Sequence, residues 1–140
     1  MDHEYLVKFN NNFDIVARKI LIPFSINDQL IIFINGNMGV GKTSLCNSFA
    51  KIFHVDDLSS SSYGLVNSCI GTKKVIHSDF YRYHFNDHFF DEEIFPLLDT
   101  SYLLMIEWAH PCQLINNVPH LSISLSITEC QDRYVLVSTM

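Results

Sequence analysis

The chain is 140 residues long, 48% hydrophobic and 17% charged, with nine basic against fifteen acidic residues and a formal net charge of −6. These values exclude intrinsic disorder and suit one domain with a real core rather than two. They also argue against a protein that grips RNA or DNA by itself, because nucleic-acid affinity rests largely on neutralising phosphates. No apolar run approaches the roughly 18 residues that a membrane span requires. Met1-Asp2-His3-Glu4 lacks the basic start and apolar stretch of a signal peptide, so a cytoplasmic location is expected. Cys46, Cys69, Cys112 and Cys130 are scattered, with no C-x-x-C pair, and read as four free thiols in a reducing compartment.

In chain order, Phe13, Val16, Ala17, Ile20 and Leu21 repeat at helical spacing, with Asn11 or Asn12 as cap and Pro23 beyond the end. Leu30 to Ile34 is a continuous apolar run that suits a strand buried on both faces. Thr43 to Ile52 reads as a helix, with Leu45, Phe49 and Ile52 on one side. Asp56 to Ser62, with four serines from Ser59, has no periodicity and reads as a loop. Tyr63 to Ile70 and Lys73 to His77 are strand-like and joined at Gly71-Thr72, which predicts a hairpin. Asp91-Glu92-Glu93 predicts the start of a short helix that Pro96 ends. Tyr102 to Ile106 is a second fully apolar strand. Ile123, Leu125 and Ile127 alternate with serines, predicting a strand with one wet face, and Arg133 to Ser138 is expected beside it. The expectation is one α/β domain of P-loop NTPase type, with a mixed sheet, parallel at its centre and flanked by helices.

Between the first apolar strand and its helix lies Gly36-Asn37-Met38-Gly39-Val40-Gly41-Lys42-Thr43, which spells G-x-x-x-x-G-K-T. Glycines let backbone N–H groups turn inward around phosphate oxygens, and the helix N-terminus adds partial positive charge. Lys42 can reach the β/γ-phosphates, the Thr43 hydroxyl can ligate Mg2+, and Asn37 to Ser44 are the expected nucleotide-binding residues. Glu107 follows the strand 102–106, the position of an acid that holds Mg2+ or its water. Asp79 follows a second apolar-ended strand, where it could align water or complete the metal shell, or simply form a turn. Trp108 could pack near the nucleotide or belong to the core. A hydroxyl of the serine run could close onto Mg2+ as a switch, or the run could be a plain loop. His84 and His88 have metal-like spacing only if both lie on a helix, and they read as surface histidines.

Together these motifs resemble the TsaE family (also called YjeE), small bacterial P-loop ATPases of tRNA threonylcarbamoyladenosine synthesis. The resemblance rests on Gly36–Thr43, Ser60–Asn67, His77–Arg82 and Ile106–Ala109, and runs from the first helix to Arg133. Asp79-Phe80-Tyr81-Arg82 combined with Ile106-Glu107-Trp108 is more specific than the glycine loop alone. Asn37 stands where the family has an acid, and the serine run lacks the family's proline. Ser62 keeps the hydroxyl of the family's switch threonine, which implies a third metal ligand beside Thr43 and Glu107. The resemblance implies ATP and Mg2+ as ligands, with Asp79 and Glu107 as catalytic residues. It also implies hydrolysis when docked on the TsaB–TsaD complex, with tRNA met only through those partners, and with no DNA or membrane partner. A small-molecule kinase is the rival enzyme, disfavoured by the lack of a basic lid; a GTPase lacks its N-K-x-D segment. A nucleotide-gated binding module would need the same phosphate cradle.

Overall fold

In a computed structural model of the chain, residues 2–58 and 65–140 are described. Of the loop expected over Asp56 to Ser62, the four serines 59–62 lie outside the described residues. Among the described residues, seven strands form one sheet: β1 (Asp2–Val7), β2 (Gln29–Gly36), β3 (Val66–Ile70), β4 (Lys74–Asp79), β5 (Tyr102–Glu107), β6 (His120–Ile127) and β7 (Arg133–Thr139). Their spatial order is β1-β7-β6-β2-β5-β4-β3. The four central strands, β6, β2, β5 and β4, run parallel, while β7, β1 and β3 pair antiparallel at the two sides. The mixed sheet with a parallel centre is therefore as expected.

The apolar runs lie where two-sided burial demands them. On β2, Leu30, Ile32 and Ile34 pack with Leu45, Phe49, Val75, Leu103 and Met105 under helices α1 (Asp14–Leu21) and α2 (Lys42–Ile52). The intervening Ile31 and Phe33 join Ile76, Leu104, Ile106, Phe90 and Ile94 on the opposite face. Alternate side chains of a strand point to opposite faces, so a central strand covered on both must be apolar throughout. Removing a side chain such as the fully buried Phe33 would cost about 3–5 kcal/mol.

Four local expectations need correction. β1 was not anticipated: Val7 alone on it is buried, so the strand has little hydrophobic pattern and is held by its antiparallel ladder to β7. The acidic run 91–93 does not open a helix. The segment starts as a short helix, α3 (Asp87–Phe89), where Asn86 Oδ1 accepts the Phe89 N–H at 2.8 Å. It widens to a π turn over Phe90–Ile94 and ends as 3-10 helix over Phe95–Leu97. Asp79 and Glu107 are the last residues of β4 and β5 rather than the residues after them. Ile127 is 45% exposed, because the alternation that buries Ile123 and Leu125 gives way near the strand end. The hairpin of β3 and β4 and the β6–β7 pair stand as expected.

One polar clamp ties α1 to α2. Asp14 Oδ1 accepts from the Ser48 hydroxyl at 2.7 Å, and Asp14 Oδ2 lies 3.2 Å from Lys51 Nζ. The Ser48 hydrogen bond, helped by Lys51 and Arg18 and opposed by desolvation, holds the Asp14 carboxyl below its usual range. A carboxylate depressed in the folded state stabilises above its unfolded pKa, and that contribution is lost as pH falls through the folded value. Asp14→Ala should therefore lower stability at neutral pH by about 1 kcal/mol or less, given the site's partial exposure. In urea unfolding followed against pH, the gap between wild type and variant should shrink through the acid range.

Candidate functional site

The parallel strands β2, β4 and β5 end together, and their carboxyl ends form the rim on which α/β proteins commonly place ligands. On the face beneath α2, β4 presents Val75, His77 and Asp79, and β5 presents Leu103, Met105 and Glu107. Register pairs Asp79 with Glu107, and Ile34 of β2 with Glu107 on the other side. Two carboxylates therefore reach the sheet edge directly beside the glycine loop that leaves β2.

Backbone conformation explains the glycines at the two ends of that loop. A Cβ on Gly36 would meet the Leu125 carbonyl oxygen at 2.6 Å and Val40 Cγ1 at 2.9 Å. Gly41 enters α2 with φ of 107°, where side chains are strained, and a Cβ there would strike the Phe13 ring at 3.0 Å. The loop thus closes tightly and starts α2 at Lys42, leaving the first N–H groups of the helix without intrahelical partners.

Glu107 is buried, and among the described residues Thr43, His77 and Cys46 hydrogen-bond its carboxylate. The Thr43 hydroxyl donates to its two oxygens at 3.3 and 3.2 Å. His77 Nε2 hydrogen-bonds Glu107 Oε2, and Cys46 Sγ lies 3.8 Å from the same oxygen. A carboxylate taken out of water needs such partners. Lys42 is also buried, its ammonium donating to the carbonyls of Gly36 at 2.8 Å and Asn37 at 2.9 Å. Desolvation pushes the Lys42 pKa down, against the pull of Glu107 and Asp79. The ammonium sits 4.2 Å from the centre of the Trp108 ring, which Tyr81 flanks at 4.9 Å. Trp108 holds φ of 62°, a conformation that costs a non-glycine residue about 1–3 kcal/mol. That sharp turn at the end of β5 puts the indole beside the glycine loop.

These groups surround a hollow of about 390 Å3. Of the residues named from sequence, Met38, Gly39, Gly41, Lys42, Thr43, Ser44, Asp79, Glu107 and Trp108 line it. Asn37 is exposed on the loop, and Val40 turns its side chain into the core. Asp79 also forms a turn, its Oδ1 accepting the Tyr81 N–H at 2.9 Å, so its two readings hold together. His84 precedes α3 and is exposed, as is His88, so the pair shares no helix face. Sequence reasoning missed His77 and Cys46 as site residues. The signals were present: His77 lies two residues before Asp79 on a strand, and Cys46 three after Thr43 on a helix. It also missed a polar hollow of about 290 Å3 that adjoins through Ser44 and includes Asn47, Lys51 and Arg133.

The class is thus an α/β protein whose candidate site is a glycine loop and helix start opposed by two strand-end carboxylates. The chain belongs to the TsaE family: the family model described as threonylcarbamoyl adenosine biosynthesis protein TsaE matches residues 10–135. It is 26% identical over 133 residues to the tRNA threonylcarbamoyladenosine biosynthesis protein TsaE of Haemophilus influenzae, covering 94% of this chain and 80% of that one. Its fold is similar to the crystal structure of YdiB from Bacillus subtilis, with a TM-score of 0.62 and 16% identity, over 99% of this chain and 87% of that one. The motif resemblance is borne out at the level of the family.

Trp108 is the chain's one tryptophan, so its emission reports on the Lys42 contact without interference. Titration with ATP and Mg2+ should change that emission as Lys42 moves from its carbonyl partners toward phosphate. Lys42→Ala should weaken the binding read this way by roughly ten- to a hundredfold, the worth of about 1.5–3 kcal/mol for a charged hydrogen bond. Equal affinities would remove Lys42 from ligand binding.

Proposed function

We propose that this chain is a Mg2+-dependent ATP hydrolase of P-loop NTPase type. It acts in the cytoplasm in tRNA threonylcarbamoyladenosine biosynthesis, docked on the TsaB–TsaD complex and meeting tRNA only through those partners. The observation that carries this reading is the hydrogen bond from Thr43 at the start of α2 to Glu107 at the end of β5. It joins the two oxygen donors that a P-loop site presents to magnesium, beside a buried lysine and a second carboxylate. Family membership supports the pathway, and the names of the relatives supply it.

The residues fit the ligands. Hydroxyl and carboxylate oxygens are the hard donors magnesium prefers, and the loop between Gly36 and Gly41 is too tight for side chains at its ends. Bound Mg2+ would supply charge neutralisation for the phosphate groups. Thr43 and Glu107 would hold it, and His77 keeps the Glu107 carboxylate oriented through its hydrogen bond. Lys42 would exchange two carbonyl partners for phosphate oxygens. Asp79, half exposed at the end of β4, would orient the attacking water and accept its proton. The polar hollow beyond Ser44 would take the nucleoside, with the Asn47 amide available to its polar edge.

A kinase reading lacks support at the hollow, where Lys42 is the one cationic side chain lining it among the described residues. Neither does a membrane role arise from the helices: among the described residues none is long and apolar enough to cross a bilayer.

Removing an acid near the γ-phosphate also removes repulsion, so Asp79→Ala and Glu107→Gln should retain ATP binding. Phosphate release, measured with TsaB and TsaD present, should fall on the order of 10²–10⁴-fold, the usual worth of a positioned acid–base group. The isolated wild-type chain should be slow and should accelerate when the two partners are added. Full-speed hydrolysis by the chain alone, unchanged by either partner, would contradict the docking, and unchanged rates in both variants would contradict the assignment of the acids.

A further inference from the structure

Cys46 has no role in the nucleotide chemistry, yet the helix aims it at the centre of the site. Residues three apart share a helix face, so the thiol follows the Thr43 hydroxyl toward the end of β5. It is fully buried, and its Sγ lies 3.8 Å from Glu107 Oε2. From the sheet side, His77 Nε2 meets the same oxygen. Sulfur, imidazole nitrogen and carboxylate oxygen all lie within 4.8 Å of one another, and all three residues are buried.

We propose that Cys46, His77 and Glu107 form a binding site for a thiophilic divalent cation of the zinc class, which shares the Glu107 carboxylate with the oxygen site at Thr43. One thiolate, one imidazole and one carboxylate are the ligand types that zinc takes, in a tetrahedron completed by water. Magnesium, which wants near-octahedral oxygen, is a poor match for two of the three. Bond lengths of about 2.0–2.3 Å place tetrahedral donors about 3.3–3.8 Å apart. The 3.8 Å Cys46–Glu107 separation already meets that; on binding, the His77–Glu107 contact would open and the Cys46–His77 separation, within 4.8 Å, would adjust to the same range. Binding is an acid–base exchange with no change of oxidation state. The Cys46 S–H proton leaves to solvent as the sulfur–metal bond forms, and His77 shifts its proton to Nδ1 and gives its Nε2 lone pair. Because Glu107 is common to both donor sets, an occupied site draws its carboxylate away from Thr43. The donor set stands whether or not the protein hydrolyses ATP.

Cobalt(II) makes the site visible. The full-length chain, stripped with chelator and titrated with Co2+ alone, should develop a thiolate-to-cobalt charge-transfer band together with the intense visible bands of tetrahedral cobalt. Zn2+ should abolish both. The bands should be lost in Cys46→Ala and in His77→Gln and kept in Cys130→Ala, which removes an exposed thiol. Zn2+ should also raise the melting temperature of wild type but not of Cys46→Ala. If the alanine variant does not fold, Cys46→Ser keeps the volume, replaces the soft donor and must lose the charge-transfer band. Absence of that band in folded wild type, or its persistence in a folded Cys46 variant, would overturn the site.

Discussion

The buried Glu107 carboxylate is the constraint on which the rest of the site depends. It stands at the end of a strand buried on both faces, and its oxygens meet α2 through Thr43 and Cys46 and β4 through His77. A carboxylate there is tolerable only because those donors converge, and they converge only because the parallel register brings Asp79, Glu107 and the end of β2 to one edge. The core and the site are therefore one arrangement. A one-residue slip of β5 against β2 or β4 would turn the Glu107 carboxylate to the opposite face of the sheet, away from Thr43 and His77.

The glycine loop works under a related constraint. Gly36 is pressed against β6, and Gly41 against the Phe13 ring of the segment leading into α1. The loop is consequently held between the sheet and α1, and its lysine is folded back over its own carbonyls and beneath Trp108. Lys42 is thereby partly desolvated. The backbone at Trp108 carries the matching cost in its positive φ.

Much of this was legible in the sequence, for definite reasons. Leu30–Ile34 and Tyr102–Ile106 are unbroken apolar runs because both sheet faces are covered, and the glycine loop is spelled out because its conformation admits few residues. Glu107 could be placed because it ends such a run, and Asp79 because it ends a strand with an apolar Val75-Ile76 centre. What escaped was whatever depends on a tertiary partner. β1 is an exposed strand with a ladder instead of a hydrophobic pattern, and the helix before Pro96 begins at the Asn86 cap instead of at its acids. His77 and Cys46 come from different elements, and only the packing of α2 on the sheet makes them neighbours. The polar hollow by Ser44 joins the chain's beginning to its end, through Asn11 and Arg133, which no local pattern could show.

The central claim is that the start of α2 and the end of β5 together form a magnesium–nucleotide site. A crystal structure of the chain with Mg2+ and a non-hydrolysable ATP analogue tests this most directly. The phosphates should lie in the loop from Gly36 to Thr43, with Lys42 turned from its carbonyl partners onto them. The Thr43 hydroxyl should reach the ion directly, and Glu107 directly or through one water. Phosphates bound elsewhere on the chain, or an ion touching neither Thr43 nor the Glu107 shell, would contradict the account.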